Sequence, residues 1–442
     1  MKLLRISAAV LLAACLAAGC EKGGETRTST EGSAEETGTT VKDEPVTEPA
    51  GVTVDPSVTF QTWDGFGAMN LGTDWTKNTD WTGSDAKALL RDMGLNLMRI
   101  RIPYDESRWE ALAQACSEIY NEYAPGILAT PWSMPASMKT PEQTQARKDG
   151  VTSSLRPECY GDYAAYLERF AAYMKAHGAP LAAISVQNEP DYAAEYDGCL
   201  WSAAQHLDFV KNYGHLVKSA PLATAESFSS RQEFYDYVLE DDTACGNIAI
   251  VAGHLYGTVP KAYPAAAEKG KRLWMTEHLL NDSWSDGTDH WDETLSMAAE
   301  MLGCMECGWN AYFWWYGCRY YSLVGDGTEG TARGQILPRG YAYSQFSRYI
   351  QPGDVRVRSS VDGTESLLAT AFEGNGALKV VLLNTGSTLK EVTLDSGKET
   401  GSVSGTYSSS SAKSAGLTFS SKSPRSIIFT LPARSVATVT VR

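Results

Sequence analysis

The stretch LAAISVQNEP, residues 181–190, decides the fold of this chain. Its apolar run has the length of a strand and stops abruptly at the polar residues Asn188 and Glu189, which is typical of a buried strand that ends at the edge of the core. A second stretch, RLWMTEHLL at residues 272–280, also runs apolar and then presents Glu277. In a parallel barrel, active sites are built where the strands end. The two stretches therefore predict two barrel strands, each of which carries a glutamate to the same open end.

Six further apolar runs, with helical patterns between them, lie on either side of these two strands. The other strands are predicted at residues 64–70, 96–102, 126–132, 222–227, 248–257 and 310–317. The clearest helix is predicted at residues 163–174, where apolar residues recur at helical spacing and Gly178 follows as a stop. Other helices are predicted around residues 84–93, 106–120, 202–218, 231–240, 291–305 and 340–350. Eight strands that alternate with helices predict an α/β fold, a (β/α)8 TIM barrel, over residues 53–352.

The composition changes beyond each end of the predicted barrel. Residues 353–442 alternate apolar and polar residues between Gly, Ser and Asn turns, which predicts an antiparallel β-sandwich side domain. The strand predicted at residues 53–60 has no obvious barrel partner and is open to pairing with that domain. Residues 20–52 are rich in Thr, Ser, Glu and Gly and predict a flexible tether, because they cannot bury a core.

The first residues resemble a bacterial secretion signal. Residues 1–19 have a basic start and a short apolar centre, and they end in LAAG directly before Cys20, which predicts a signal peptide. Because LAAGC resembles a lipobox, we expect a lipid on Cys20; an ordinary cleaved signal is the alternative. Removing residues 1–19 takes away Lys2 and Arg5 and changes the net charge from −15 to −17. This charge argues against nucleic acid and anionic membrane surfaces as partners, so membrane contact is expected through the lipid alone.

Nine cysteines leave seven once Cys15 of the signal and the lipidated Cys20 are set aside. An odd number in an oxidising compartment predicts at least one free thiol or an intermolecular pair. Cys304 and Cys307 form a C-x-x-C within a helical pattern with no second Cys or His pair nearby. Packing or a local disulfide is therefore expected there, and no metal site is predicted.

Glu189 and Glu277 are the candidate catalytic residues. Retaining glycosidases use two carboxyl groups about 5 Å apart, one as acid/base and one as nucleophile, and the fourth and seventh strands of a barrel face each other across its mouth. Glu189 is the candidate acid/base, with Asn188 beside it to hold a sugar hydroxyl. Glu277 is the candidate nucleophile, with Tyr256 placed to orient it. Taken alone, each glutamate could be an ordinary residue at a strand end.

Several motifs together resemble glycoside hydrolase family 30, and most closely its subfamily 8, the bacterial glucuronoxylanases. They occur in the family's order and read GFGAMN, ILATPWSMPASMK, ISVQNEPDY, GHLYG, LWMTE, YFWWY and RGYAYSQFSRYIQPG. The resemblance implies a barrel with a β side domain made from both chain ends. It also implies retaining endo-hydrolysis of β-1,4-xylan, with Glu189 as acid/base and Glu277 as nucleophile and without a metal or cofactor.

The subfamily reads a glucuronic acid branch on xylan, chiefly through an arginine after the eighth strand. Trp315, Arg319 and Tyr321 occupy the matching positions. A guanidinium can hold the uronate carboxylate with two hydrogen bonds; a salt bridge to a neighbouring loop is the alternative role for Arg319. Leu279 stands where the subfamily usually has a tyrosine, and Ser283 is the candidate for a further serine. The resemblance therefore implies glucuronate recognition that is less strict than in the subfamily.

Four other residues are assigned to the mouth of the predicted barrel. Trp132 is expected to stack on sugars in the cleft or to cap the barrel core. Arg99 is expected either near the nucleophile or paired within the mouth. His254 is expected to be a buried, hydrogen-bonded strand residue, and Glu226 a supporting carboxylate.

Two other functions are compatible with these patterns. The same fold could cut another β-glycan such as β-1,6-glucan, although a neutral glucan offers no carboxylate for Arg319. The chain could also be a surface lipoprotein that binds xylan without cleaving it. Because a polymer does not easily cross the outer membrane, the expected location is that membrane, with display at the cell surface and a monomeric state.

Overall fold

The computed structural model describes residues 47–70, 81–280 and 290–442. The predicted signal peptide, Cys20, most of the predicted tether and Ser283 lie outside these ranges. Within the described ranges, no helix combines the length and the apolar character needed to cross a membrane.

Eight parallel strands close into a barrel in the described part of the chain. In chain order they are Gly65–Met69, Leu97–Ile102, Gly126–Pro131, Leu181–Ser185, Leu222–Ala223, Ile250–His254, Arg272–Glu277 and Ala311–Trp314. The eighth strand pairs with the first, so the barrel has no open edge. Nearly every side chain on these strands is buried, as expected for parallel strands that are covered on both faces. The predicted fold class is confirmed.

Helices follow the strands around the outside of the barrel. The α-helices are Gly83–Ala86, Trp109–Tyr123, Tyr160–Ala176, Ala203–Tyr213, Gln232–Glu240, Asp242–Asn247, Pro264–Glu268, Trp291–Glu306 and Pro338–Ser347. A π-helical segment, Lys87–Asp92, continues the first, and 3-10 turns occur at Glu106–Arg108, Ala136–Met138, Pro157–Cys159 and Gly214–Leu216. Beyond the third helix, Gly178 adopts φ +80°, a conformation that glycine takes readily and that ends helices.

The remaining strands form one curled ten-stranded sheet around a second apolar core. They are Thr47–Thr62, Val355–Asp362, Leu367–Gly374, Ala377–Asn384, Leu389–Asp395, Val403–Ser408, Ala415–Gly416, Ser420–Ser423, Ser426–Leu431 and Ser435–Val441. Two short two-stranded ribbons lie between the third and fourth barrel strands in the chain. They pair Lys139–Thr140 with Ser154–Leu155 and Arg147–Lys148 with Val151–Thr152.

The N-terminal strand requires two corrections to the sequence analysis. It begins at Thr47, so the predicted tether boundary at residue 52 lies too far along the chain. The strand pairs antiparallel with Val355–Asp362 but parallel with Leu389–Asp395, so the side domain is not purely antiparallel. The strand lies between two C-terminal strands of the sheet and pairs with one on each side. The pairing with Leu389–Asp395 is parallel and begins at Thr47, which accounts for both differences.

Six of the described cysteines are free thiols, namely Cys116, Cys159, Cys199, Cys245, Cys304 and Cys307. Cys304 is buried in the barrel's outer core, and Cys307 Sγ lies 3.6 Å from the carbonyl oxygen of Pro260. Of the two roles expected for the C-x-x-C motif, the structure shows packing.

Candidate active site

The two predicted glutamates come together at the open end of the barrel. Glu189 follows the fourth strand, Leu181–Ser185, and Glu277 is the last residue of the seventh, Arg272–Glu277. A carboxylate oxygen of each glutamate and a ring nitrogen of His254 all lie within 4.8 Å of one another, and all three residues are buried. This separation is close to the roughly 5 Å at which retaining glycosidases hold their two carboxyl groups.

The backbone around Glu189 is held in an uncommon conformation. Glu189 has φ +46°, which costs a residue with a side chain on the order of 1–3 kcal/mol. Its N–H donates to the carbonyl of Glu226 at 2.9 Å, and the N–H of Asn188 donates to the carbonyl of Pro131 at 2.9 Å. These bonds continue the barrel pairing past the strand end and so fix where the Glu189 side chain starts.

Arg99, on the second strand, connects most of the polar groups in the barrel mouth. Its Nη1 donates to Glu277 Oε2 at 2.5 Å, and its Nη2 donates to Asn188 Oδ1 at 2.8 Å and lies 3.1 Å from Glu226 Oε2. Arg99 is fully buried, and burial of a cation is unfavourable unless carboxylates surround it. The amide nitrogen of Asn188 has no acceptor among the described residues, which leaves it available to a ligand.

His254 lies between the glutamates as a second cation. Its Nδ1 is 3.1 Å from Glu189 Oε1, and its Nε2 is 3.3 Å from Glu226 Oε2. Burial alone would lower the pKa of His254, but the charge of Glu277 and the bonds to Glu189 and Glu226 raise it to about 9. Burial alone would likewise raise the pKa of Glu226, but Arg99 and His254 lower it to about 2. At neutral pH the mouth therefore holds two cations and an ionised Glu226.

Glu189 is the carboxyl group whose environment favours its protonated form. Burial and the charge of Glu277 raise the pKa of Glu189 above its ordinary value, against the opposing effects of His254 and Tyr196. The Tyr196 hydroxyl donates to Glu189 Oε2. The sequence analysis did not identify Tyr196; the available signal was a tyrosine in the loop that directly follows the catalytic strand.

Glu277 accepts hydrogen bonds from two neighbouring residues. Arg99 donates to Oε2, and the Tyr256 hydroxyl donates to Oε1 at 2.8 Å. The predicted contact between Tyr256 and Glu277 is present. One carboxyl group suited to giving up a proton thus faces one suited to nucleophilic attack, which is the pairing that glycoside hydrolysis requires.

The same three residues also have the geometry of a possible metal site, because Glu189, His254 and Glu277 each offer one ligand atom. Their charge balance disfavours a cation, since Arg99 already neutralises Glu277 at 2.5 Å and His254 is itself positively charged at neutral pH. The arrangement fits carboxylate chemistry better than metal binding.

Arg319 lies in the loop after the eighth strand, Ala311–Trp314. Its guanidinium carbon lies 4.3 Å from the centre of the Tyr316 ring, and its buried Nε has no hydrogen-bond partner among the described residues. No described carboxylate is within salt-bridge distance of it, so the alternative role as a loop salt bridge is not seen in these ranges. Tyr321 is half-buried nearby, and its ring packs edge-on against Tyr320.

A mainly aromatic cluster connects Arg319 to Arg99, the residue that bonds Glu277. It consists of Met69, Trp132, Trp315 and Tyr316, with Leu279 packed against it. Trp132 is 2% exposed and lies against both Trp315 and the Arg99 guanidinium. Both roles expected for Trp132, stacking on sugars and capping the barrel core, stay predictions. Leu279 gives the cluster an apolar side where a tyrosine would offer a hydroxyl.

A closed parallel barrel with two facing carboxylates at its strand ends is an arrangement that glycoside hydrolases use, and comparison with known proteins shows that the chain is one. Glucuronoxylanase XynC of Bacillus subtilis (strain 168) is 30% identical over 351 residues, which cover 76% of this chain and 78% of that protein. The family 30 subfamily 8 xylanase Xyn30A from Clostridium acetobutylicum matches with a TM-score of 0.79 and 31% identity, covering 89% of this chain and 100% of that one. A family 30 endoxylanase from Clostridium papyrosolvens C71 gives 0.76 and 29%, with 88% and 99% covered. Comparison with models of known protein families gave no match.

The chain belongs to glycoside hydrolase family 30.

Proposed function

We propose that this protein is a retaining endo-β-1,4-xylanase in which Glu189 is the acid/base and Glu277 the nucleophile. One carboxylate oxygen of each glutamate lies within 4.8 Å of the other. This short distance carries the proposal, because an inverting enzyme holds its carboxyl groups about 6.5–9.5 Å apart to admit a water. Its similarity to enzymes named as glucuronoxylanase and xylanase supports xylan as the substrate.

Catalysis would proceed in two steps. Glu277, held by Arg99 and Tyr256, attacks the anomeric carbon while protonated Glu189 gives its proton to the leaving oxygen. A glycosyl ester on Glu277 results. Glu189, now ionised, then takes a proton from a water molecule whose oxygen attacks the anomeric carbon. The bond from that carbon to Glu277 breaks, so Glu277 is again a carboxylate and Glu189 is again protonated.

We further propose that Arg319, Trp315 and Tyr321 recognise a glucuronic acid branch. The Arg319 guanidinium packs on the Tyr316 ring and has no carboxylate partner among the described residues. It is therefore suited to hold a uronate with two hydrogen bonds. Leu279 lacks the hydroxyl that a tyrosine would offer in this site. This supports a preference for glucuronylated xylan rather than an absolute requirement for the branch.

Digestion of glucuronoxylan and of debranched xylan, with mass analysis of the products, tests both proposals. We expect acidic oligomers whose branch lies at a fixed distance from the reducing end, together with slower release of neutral oligomers from debranched xylan. Glu277→Gln protein is the control and should release neither. Equal rates on both substrates, with randomly placed branches, would refute branch recognition while leaving xylanase activity intact.

We also propose that Cys20 carries a lipid that attaches the protein to the outer membrane, with display at the cell surface. The LAAGC sequence supports this proposal. Protease treatment of intact cells tests the surface location: we expect loss of the protein, and its protection would place it inside the outer membrane.

A further inference from the structure

A column of aromatic rings spans three loops beside Glu189. Tyr192, in the loop after the fourth strand, stacks on Phe228, after the fifth, with ring centres 4.3 Å apart and an interplanar angle of 12°. Phe228 in turn stacks on Tyr256, after the sixth strand, at 4.9 Å and 23°. Tyr256 bonds Glu277 and Tyr196 bonds Glu189, so the column adjoins the reacting groups.

The outer end of this column faces solvent. Tyr192 is 38% exposed and Tyr196, whose ring centre lies 6.4 Å from that of Tyr192, is 42% exposed. Single exposed aromatic residues are ordinary on protein surfaces. Two adjacent rings that lead from solvent to a buried catalytic carboxyl group are suited to holding a flat, partly apolar ligand such as a sugar ring.

The column is held rigidly in place before any ligand binds. Asp191 accepts hydrogen bonds from the Phe228 N–H at 2.9 Å and from the Ser227 hydroxyl at 2.7 Å, which ties the fourth and fifth loops together. The Tyr256 N–H donates to the Phe228 carbonyl at 3.2 Å, which ties the fifth to the sixth. A site fixed in this way loses little conformational entropy on binding.

The position of the column identifies the part of the substrate that it can meet. The acid/base protonates the oxygen of the leaving group, so the leaving sugar must lie on the Glu189 side of the scissile bond. Arg319 and Trp315 follow the eighth strand, next to the strand of Glu277, whereas Tyr192, Tyr196 and Phe228 follow the strands on the Glu189 side. The two surfaces therefore serve opposite ends of a bound chain.

We propose that Tyr192, Phe228 and Tyr196 form the binding subsite for the leaving-side xylosyl units of the substrate. This inference rests on the proposed function and extends it to the half of the cleft opposite the branch-recognition site. The same subsite must hold an incoming acceptor sugar. When an acceptor hydroxyl attacks the glycosyl ester on Glu277, its proton passes to Glu189, the ester bond breaks and a new glycosidic bond forms.

The partition of the glycosyl-enzyme between water and an added xylo-oligosaccharide tests the subsite. We expect Tyr192→Ala to lower the ratio of transfer to hydrolysis by about three- to tenfold, the range that one aromatic contact supports. Tyr192→Phe keeps the ring and should keep the ratio. Tyr237→Ala removes a more exposed ring, 51% exposed on the helix Gln232–Glu240, and should behave as the parent does.

Two failures are distinguishable in this experiment. A parent protein that releases no product from xylan would refute the proposed function, and this subsite with it. An active parent whose transfer ratio is the same in Tyr192→Ala, or is lowered equally by Tyr237→Ala, would refute the subsite alone.

Discussion

At the scale of single residues, Glu189 and Glu277 are chemically alike and differ in their neighbours. Glu277 accepts hydrogen bonds from Arg99 and Tyr256, whereas the pKa of Glu189 is raised, chiefly by burial. Because the environment of Glu189 favours its protonated form and Glu277 is held in place by two donors, changing each glutamate to glutamine should affect activity differently.

Glu277→Gln should lose activity on every substrate, by about 10⁴-fold or more, because no covalent intermediate can form. Glu189→Gln should lose about 10²–10⁴-fold on xylan, because general acid catalysis is missing, but far less on an aryl glycoside whose leaving group needs no proton. Steady-state rates on both substrates provide the measurement. Equal losses of both variants on the aryl glycoside would contradict the assigned roles.

His254→Gln should move the alkaline limb of the pH–activity profile upward. His254 lowers the pKa of Glu189 through its hydrogen bond and charge, and Glu189 must be protonated for the first step. Without His254 the pKa of Glu189 rises, so activity should persist to higher pH. The measurement is kcat/KM against pH, with a melting curve to show that the variant is folded. An alkaline limb that stays in place or moves down would refute this coupling.

Arg319→Ala should reduce the preference for glucuronylated over debranched xylan by about tenfold or more, because a charge-assisted bond contributes roughly 1.5–3 kcal/mol. Arg319→Lys keeps the charge but not the planar fork and should retain only part of the preference. The ratio of kcat/KM values on the two xylans measures it. If Arg319→Ala left that ratio unchanged, branch recognition would have to come from other residues.

Residue patterns in the sequence predicted the two glutamates and Tyr256 because each lies at a strand end that an apolar run marks. For Arg99, the sequence left two positions open, one near the nucleophile and one paired elsewhere in the barrel mouth. In the structure it contacts Glu277, Asn188 and Glu226 at once. Trp132 shows the limit more clearly: whether an indole faces the cleft or the core depends on packing against other strands, which no local pattern contains.

At the scale of elements, the loop that carries Tyr196 is clamped from two sides. Lys139 is buried, and its Nζ donates to the carbonyl of Gly198 at 2.5 Å and to that of Thr144 at 3.1 Å. On the other side, Arg101 pairs with Asp197. The Lys139 contacts join the loops after the third and fourth strands, and the Arg101 pair ties the second strand to the loop after the fourth. Together they hold the loop that carries the tyrosine bonded to the acid/base.

Lys139→Met should destabilise the protein by about 1–3 kcal/mol, because several buried carbonyl groups lose their donor. It should also lower kcat, since Tyr196 is no longer fixed beside Glu189. Lys148→Met, in the exposed ribbon strand Arg147–Lys148, is the matched control and should change neither. Denaturant unfolding and steady-state kinetics give both values. A Lys139→Met protein as stable and active as the parent would show that the clamp is unimportant.

The elements themselves were predictable to different degrees. Apolar runs marked all eight barrel strands, because strands covered on both faces are almost wholly apolar. The strands at Val403–Ser408, Ala415–Gly416 and Ser420–Ser423 were not predicted. They are rich in Ser and Gly, and their side chains are mostly half-buried in the first strand and exposed in the third. Neither periodicity nor propensity distinguishes them from loops, and pairing with neighbours in the sheet makes them strands.

At the scale of the whole molecule, the barrel and the side domain are joined by an interface with several hydrogen bonds and an ion pair. The helix Pro338–Ser347 contacts the sheet, where Gln345 Nε2 donates to Ser408 Oγ at 2.9 Å and the Thr438 hydroxyl donates to the Gln345 carbonyl. Arg356 bonds Glu306 across the same boundary at 2.9 Å. The strand Thr47–Thr62 completes the sheet and leads directly into the first barrel strand.

The two parts should therefore unfold together in one transition. Calorimetry of a protein that begins at residue 47 should show a single peak with matching calorimetric and van't Hoff enthalpies. A protein that begins at residue 63, and so lacks the strand between two C-terminal strands, should melt lower over its full length. Two separate peaks for the longer protein would contradict a shared unfolding unit.

The stereochemistry of hydrolysis tests the central claim, because it reports directly on how Glu189 and Glu277 are arranged. Proton NMR of a glucuronoxylan digest should show the β-anomer of the new reducing end first, with the α-anomer appearing later by mutarotation. That order follows from a covalent intermediate on Glu277, which the short distance of at most 4.8 Å between one oxygen of each carboxylate supports. If the α-anomer appeared first, the reaction would be inverting, and the roles assigned to both glutamates would be wrong.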